Sequence, residues 1–165
     1  MQHISAVFSV PIVLQAVIAA WFIFTAIRLS YWDFKCHRLP NPLVLTTLVI
    51  SLIGFTSLAA AQDSWDRLLA AALGAAALVL LYFLAHVFGG MGMGDVKYAS
   101  VIGLYLGWLG WGFIWWGTFI SFLSASFLVF ARSCVPSLGQ RRRNAIPFGP
   151  FMALGVVVTA PSAWV

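Results

Sequence analysis

Two aspartates stand where carboxyl groups could carry out chemistry together. Asp95 follows four glycines in the stretch "GGMGMGDVK", and Asp33 lies in "YWDFKCHRLPNPL", after the first apolar run. If the two carboxyl groups share a site, their repulsion splits their titration, so one is protonated while the other is ionised. The ionised member can activate a water, and the protonated member can hydrogen-bond a carbonyl and pass its proton to the leaving amine. Such a pair could hydrolyse a peptide bond without a metal ion.

The glycines before Asp95 have two possible roles. Each disfavours a continued helix by about 1 kcal/mol relative to alanine, so Gly89, Gly90, Gly92 and Gly94 predict a break. They also leave room for an extended peptide to reach Asp95, with Gly92 and Gly94 shaping that approach. The alternative is that the glycines only end one helix and that Asp95 caps the next.

The segment after Asp33 is predicted to be a loop. Pro40 and Pro42 prevent a helix from running through it, and Asn41 between them suits a turn or a helix cap. Pro40 and Asn41 are therefore predicted to shape the loop near the aspartates. The alternative is an ordinary loop at the membrane surface whose basic residues serve as topological anchors.

The elements that must position these residues are membrane helices. Hydrophobic residues make up 62% of the 165 residues, charged residues only 8%, and the mean hydropathy is +0.99. This composition lacks the polar surface of a water-soluble domain and predicts an all-α integral membrane protein. We expect one transmembrane domain over residues 1–165, held together by close helix packing and polar contacts.

A helix needs ~20 residues to cross a bilayer. Six apolar runs, most of them near this length, indicate a bundle of about six transmembrane helices. The fourth run is short and contains glycines, so either a full crossing or a re-entrant segment is compatible with it. The runs cover Ala6 to Ile27, Leu43 to Ala61, Leu68 to Val87, Tyr98 to Trp108, Trp111 to Ala131 and Pro147 to Val165.

Basic residues predict the orientation, because lysine and arginine favour cytoplasmic loops. With the amino terminus outside, the inner loops hold eight of the nine basic residues, including the polar loop Arg132 to Asn144. Both termini are then predicted to face outward, with Asp33 and Asp95 at the cytoplasmic mouth of the bundle. Asp63 and Asp66 fall in an outer turn, where Asp63 or Ser64 is expected to cap the third helix.

Several other chemistries are not expected. Cys36 and Cys134 are too few for a zinc site and lack C-x-x-C spacing, so neither a metal nor another cofactor is predicted. Adjacent side chains such as Cys36 and His37 rarely satisfy the geometry of a nucleophile and its base. The net charge of +5 lies mainly along the inner loops, with no soluble module to bind nucleic acid.

Three segments together resemble the type IV prepilin peptidases, the membrane aspartic proteases with a G-x-G-D motif. Gly92 to Lys97 resembles their G-x-G-D-x-K, and Asp33 through Leu39-Pro40-Asn41 resembles a first-aspartate segment ending in I-P-N. The stretch "AIPFGPFMALG", Ala145 to Gly155, resembles I-P-F-G-P-F-x-A-x-G. The resemblance implies that Asp33 and Asp95 are catalytic and that the substrate is the leader of a pilin-like precursor, cleaved at the cytoplasmic face of a prokaryotic inner membrane.

The branch of this family is less defined than the family itself. Longer members carry an amino-terminal insertion with paired cysteines and also methylate the new amino terminus; this chain lacks the insertion, so cleavage without methylation is expected. Its size resembles the peptidases of tight-adherence (Flp) pili, and the related archaeal preflagellin peptidases share the same active-site logic. Neither the genuine substrate nor the oligomeric state is indicated.

Lys97 matches the family motif but is two positions beyond Asp95, so the two would not face each other on a regular helix. We expect it to contact lipid phosphate, substrate or a neighbouring loop, with anchoring favoured over chemistry. The competing function for the whole chain is a non-enzymatic membrane scaffold or a small proton-coupled transporter. In that case Asp33 and Asp95 would be structural or proton-carrying groups.

Overall fold

A computed structural model describes residues 2–36, 39–88, 91–134 and 148–160, with side chains for 11–36, 39–88, 91–131 and 148–160. These ranges contain six helices and no strand. The helices are α1 (Gln2–Cys36), α2 (Asn41–Gln62), α3 (Trp65–Val87), α4 (Met93–Leu109), α5 (Trp111–Cys134) and α6 (Gly149–Thr159).

Four of the described helices are long and apolar enough to cross a membrane, which confirms the predicted all-α membrane fold. They cover Pro11–Cys36, Asn41–Gln62, Trp65–Val87 and Trp111–Ala131. The other two, α4 and α6, have only 17 and 11 residues. The six helices follow the order of the six predicted runs, and the orientation of the termini stays a prediction.

The short helix α4 occupies the centre of the bundle. Every residue from Val101 to Trp108 is buried. Around α4 the other helices form a ring in which α1 contacts α2, α2 contacts α3, α3 contacts α5, α5 contacts α6, and α6 returns to α1. Because protein rather than lipid surrounds α4, this helix accommodates glycines and hydroxyl groups that a lipid-facing helix would expose.

Small residues bring α3 and α4 into close contact. A Cβ atom on Gly107 would lie 2.6 Å from the carbonyl oxygen of Ala70, and one on Gly74 would lie 2.8 Å from the carbonyl oxygen of Gly103. Gly155 of α6 packs equally closely on α5 at Gly117. A side chain at these positions would therefore clash, and glycine lets the backbones approach closely enough for the van der Waals packing that drives helix association within lipid.

Hydrogen bonds of Tyr105 tie α4 to α1 and α2. Its hydroxyl group donates to the carbonyl oxygen of Ile18 at 3.2 Å and accepts from Ser51 Oγ at 2.8 Å. The rings of Phe22 and Phe55 pack against the Tyr105 ring, with centroids 4.4 and 5.0 Å away. These contacts fix the relative axial positions of α1, α2 and α4, each of which has one end beside the aspartates.

The first helix is longer than its predicted apolar run. Hydropathy ends the run at Ile27, whereas α1 continues to Cys36, so Asp33 lies in the last turn of a helix. A hydropathy pattern marks apolar residues and does not detect a helix that continues through a polar segment. The fifth helix likewise continues to Cys134, so the first three residues of the predicted loop Arg132 to Asn144 are helical.

The prediction that Asp63 or Ser64 caps α3 is correct for the position of Ser64 but not for a cap hydrogen bond. Ser64 occupies the N-cap position, but its side chain forms no cap hydrogen bond. Asp63 instead takes a left-handed conformation, with φ 52°, at the carboxyl end of α2. Aspartate is one of the few side chains that tolerate this conformation, which allows a tight turn between α2 and α3.

Candidate active site

Asp33 meets the amino terminus of α6. Its carboxyl group is buried, with the residue 5% exposed, and Oδ2 accepts a hydrogen bond of 2.9 Å from the backbone N–H of Gly149. Gly149 is the first residue of α6, so this N–H has no partner within its own helix. A helix amino terminus favours negative charge. The location therefore suits an ionised Asp33.

Asp95 lies in the first turn of α4, which follows the N-cap residue Gly92 and is outside the four membrane-length helices. Burial is the main cause that raises the pKa of the Asp95 carboxyl to about 6, and the negative charge of Asp33 adds to the rise. A hydrogen bond from Gly92 acts in the opposite direction. Two carboxyl groups 62 positions apart in sequence are thus brought within electrostatic range.

The helix-start interpretation of Asp95 is also correct in part. Asp95 occupies the third helical position, and its carboxyl group bonds back to the N-cap residue. In a capping box an acidic side chain satisfies the N-cap N–H in the same way. Capping and proximity to Asp33 therefore coexist in this residue.

Leu39 joins the segments around the two aspartates. It is 8% exposed, and the positions of Gly94 and Gly149 leave space for it. A Cβ atom on Gly94 would lie 3.2 Å from Leu39 Cβ, and one on Gly149 would lie 3.5 Å from Leu39 Cδ2. The same atom on Gly149 would lie 3.0 Å from Oδ2 of Asp33. Glycine at positions 94 and 149 therefore allows the close packing that places the carboxyl groups.

Gly92 has a different environment from Gly94. It is exposed, and a Cβ atom there would lie at the ordinary contact distance of 3.4 Å from Asp95 Oδ2. The backbone next to this carboxyl group is thus open on one side. Gly89 and Gly90 lie outside the described residues. The predicted helix break between α3 and α4 is confirmed, since α3 ends at Val87 and α4 begins at Met93.

Lys97 contacts the segment of the first aspartate rather than Asp95. Its Nζ donates to Asn41 Oδ1 at 3.0 Å, and both residues are exposed. Pro40 is the N-cap residue of α2, and its carbonyl oxygen accepts from the N–H groups of Leu43 and Val44. The Lys97 bond therefore connects the start of α4 to the start of α2.

Further residues support the site although sequence reasoning did not select them for it. Tyr82 of α3 is buried within electrostatic range of Asp95, and its ring contacts Phe122 and Phe148. Phe148 precedes Gly149, so this aromatic cluster holds the backbone that donates to Asp33. His86 donates from Nδ1 to the carbonyl oxygen of Met91 at 2.7 Å and so bridges the glycine segment. The sequence signal for these two residues was that Tyr82 and His86 are polar side chains within an apolar run.

No metal-binding cluster occurs within the described part of the chain, where no three His, Cys, Asp or Glu residues converge. Cys36 is exposed and not in a disulfide. The side chain of Cys134 and both backbone and side chain of His37 lie outside the described residues.

Comparison with protein families decides the class. A model of the type IV leader peptidase family matches residues 16–134, which include Asp33, Asp95 and Lys97. The chain belongs to the type IV leader peptidase family. Searches of curated proteins and of solved structures found no match.

Membership in this family confirms the resemblance seen in the sequence and supports a leader-peptidase type of protease in a multi-pass membrane protein. The match ends at residue 134, before the start of α6. Gly149 is thus outside the matched segment of this leader peptidase, yet it supplies the hydrogen bond to Asp33.

Proposed function

We propose that this leader peptidase is an aspartic endopeptidase in which Asp33 and Asp95 cleave the leader of a pilin-like precursor. The single observation that carries the proposal is that these two carboxyl groups lie within electrostatic range of each other, one buried in the last turn of α1 and the other in the first turn of α4. Their charges interact, and the pKa of Asp95 is raised to about 6. Perturbed carboxyl groups in a shared site are typical of acid and base catalysts.

The environments of the two carboxyl groups suggest different roles. The Gly149 N–H stabilises the anion of Asp33, whereas burial keeps a proton on Asp95 at mildly acidic pH. Asp33 takes a proton from a water molecule while the water oxygen attacks the scissile carbonyl carbon. Asp95 donates a hydrogen bond to the carbonyl oxygen. Asp95 then gives its proton to the amide nitrogen as the C–N bond breaks, which releases a carboxylic acid and an amine. The proton that Asp33 took from the water restores the pair to its starting state with one shared proton.

The open side at Gly92 supports an approach by an extended peptide. Its exposed backbone lies beside the Asp95 carboxyl group, where a larger residue would crowd an incoming chain. Leu39 is held between Gly94 and Gly149 and offers an apolar surface to the substrate. A substrate that enters here meets Asp95 in the first turn of α4 and Asp33 in the last turn of α1.

The test of the proposed activity is co-expression with candidate precursors, followed by an immunoblot that separates precursor from mature protein. Flp-type pilin precursors are the first candidates to test. Mass spectrometry of the mature amino terminus should show a free amine, since methylation is not expected. Precursors that stay uncleaved in the presence of quantified enzyme would favour the scaffold or transporter alternative.

The location at the cytoplasmic face of a prokaryotic inner membrane has its own test. Reporter fusions after Gln140 should report a cytoplasmic location, and fusions after Gln62 and Val165 an external one. The opposite pattern would remove both aspartates from the cytoplasmic face. If the fourth segment is re-entrant, the fusions after Gln140 and Val165 change sides together, while that after Gln62 stays external.

A further inference from the structure

A cavity of about 630 Å³ lies at the end of the bundle opposite the aspartates. Its walls come from α1, α2, α4 and α6, and the start of α3 lies at its mouth. Ile18 on its wall is fifteen residues before Asp33, or about 22 Å away along α1. This distance separates the cavity from the proposed catalytic site. The volume of the cavity falls within the ~300–1,000 Å³ of small-molecule sites.

The walls of this cavity are apolar and aromatic. Phe55 and Trp108 stack there with ring centroids 4.8 Å apart, and Phe22 lies beside them. The hydroxyl group of Tyr105 also reaches this wall, but it is already bonded to Ser51 and to the carbonyl oxygen of Ile18. Such walls favour a hydrocarbon chain over a polar ligand.

Charged residues lie at the mouth of the cavity. Asp66 and Arg67, in the first turn of α3, are both exposed and both line it. Trp65 and Trp111 lie next to the mouth in sequence and are 53% and 52% exposed. Tryptophan concentrates where membrane meets water, so these side chains place the mouth at the level of lipid headgroups.

We infer that the cavity binds one zwitterionic phospholipid with an amino headgroup. One acyl chain fills the apolar interior, the phosphate bonds to Arg67, and the ammonium group bonds to Asp66. The mouth thus offers one charge of each sign, which matches this headgroup and leaves the carboxylate unpaired against an anionic one. The site is built from residues that take no part in the proposed cleavage.

Native mass spectrometry of the full chain tests the inference. The protein is reconstituted into vesicles of phosphatidylethanolamine, phosphatidylglycerol or phosphatidylcholine, extracted in mild detergent, washed and weighed. We expect one phosphatidylethanolamine to be retained, with about tenfold less of the other two. Ala19→Phe, which fills the cavity from α1, and Arg67→Gln should each lower retention about tenfold.

Matched variants separate this site from general effects on the fold. Ala20→Phe adds the same ring to the exposed face of α1, and Arg28→Gln removes an arginine that does not line the cavity. Both should retain the lipid as the unchanged protein does, and circular dichroism should show equal helix content throughout. Equal retention of all three lipids, or undiminished retention by Ala19→Phe, would overturn the inference. It would also fail if Ala19→Phe blocked precursor cleavage with no lipid bound to the unchanged protein, because a substrate segment would then be the occupant.

Discussion

Each end of the bundle carries two aspartates, and their surroundings differ. At one end, Asp33 is buried against the first residue of α6, and Asp95 lies half-buried in the first turn of α4. At the other end, Asp63 is exposed in the turn between α2 and α3, and Asp66 is exposed in the first turn of α3. Aspartate side chains thus share a protein environment at one end of the bundle and contact solvent at the other.

The difference arises from how each end is built. The exposed pair is only three positions apart in sequence, at the junction of α2 and α3, and no other helix among the described residues covers it. The buried pair needs the last turn of α1, the first turn of α4 and the first residue of α6 to meet. Convergence of three helix ends supplies burial, a neighbouring charge and a backbone donor, and these change the chemistry of a carboxyl group.

Substitution by asparagine tests this comparison most severely. Asp33→Asn and Asp95→Asn keep the size of the side chain but cannot exchange the proton, so each should lower precursor cleavage at least about 10³-fold. The double variant should be no worse than either single one, because the pair acts as a unit. The readout is an immunoblot of precursor and mature protein with the enzyme quantified in the membrane fraction.

Asp63→Asn and Asp66→Asn are the matched controls at the exposed end, and both should remain active. Asparagine also adopts the left-handed conformation found at position 63, so the turn should persist. Undiminished cleavage by Asp33→Asn or Asp95→Asn would defeat the proposed catalytic pair. It would leave capping and structural roles for these residues.

A methyl group at Gly149 tests the convergence itself. In Gly149→Ala the added Cβ atom lies 3.0 Å from Asp33 Oδ2, which displaces the carboxyl group or the start of α6. We expect cleavage to fall by about 10- to 100-fold, as for a misplacement of about 1 Å. The assay is the initial rate of cleavage at equal enzyme. Gly112→Ala, where the added atom meets nothing within 4 Å, should keep full activity; equal rates for both variants would contradict the contact.

The dependence of cleavage on pH sharpens the comparison further. Because the pKa of Asp95 is raised to about 6, this carboxyl group keeps its proton below that pH and loses it as pH rises. If Asp95 is the acid of the pair, kcat/KM should fall about tenfold per pH unit above about pH 6. Purified enzyme and a synthetic precursor peptide, assayed between about pH 4 and pH 9, provide the measurement. A flat profile across about pH 6 to pH 8 would contradict this role, and Asp66→Asn should leave the profile unchanged.

The smallest expected effect concerns the bond from Lys97 to Asn41. An exposed hydrogen bond contributes about 0.5–1.5 kcal/mol, so Lys97→Ala and Asn41→Ala should each lower activity only about two- to tenfold. Since each removes the same bond, the double variant should lose less than the product of the two losses. A double-mutant cycle on kcat/KM measures this coupling. Strictly multiplicative losses would show that the two residues act independently.

Local features of the sequence predicted much of the fold. Hydropathy identified the membrane class and the order of the helices, and the glycines before Asp95 marked the break between α3 and α4. Both signals depend on residues that are close in sequence. This dependence on nearby residues also explains the errors. Neither the extension of α1 to Cys36 nor the missing cap hydrogen bond of Ser64 follows from residue type alone.

The contacts that assemble the site were beyond such reasoning. Leu39 is one leucine among many, and its place between Gly94 and Gly149 depends on three separate segments. The bond between Gly149 and Asp33 joins residues 116 positions apart, and that between Tyr105 and Ile18 joins residues 87 apart. Nothing in the period or the composition of a helix specifies such pairings, because they follow from the packing of the whole bundle.

The bond from Gly149 to Asp33 also has a consequence for biosynthesis. A ribosome makes both aspartates well before it makes α6, so a chain that has reached the end of α5 already contains the complete pair of carboxyl groups. That chain still lacks the backbone donor of Asp33 and one wall around Leu39. If Asp33 and Asp95 are the catalytic pair, we therefore expect cleavage to reach its full rate only after α6 has docked, and a chain without α6 to stay latent beside the other proteins of the membrane.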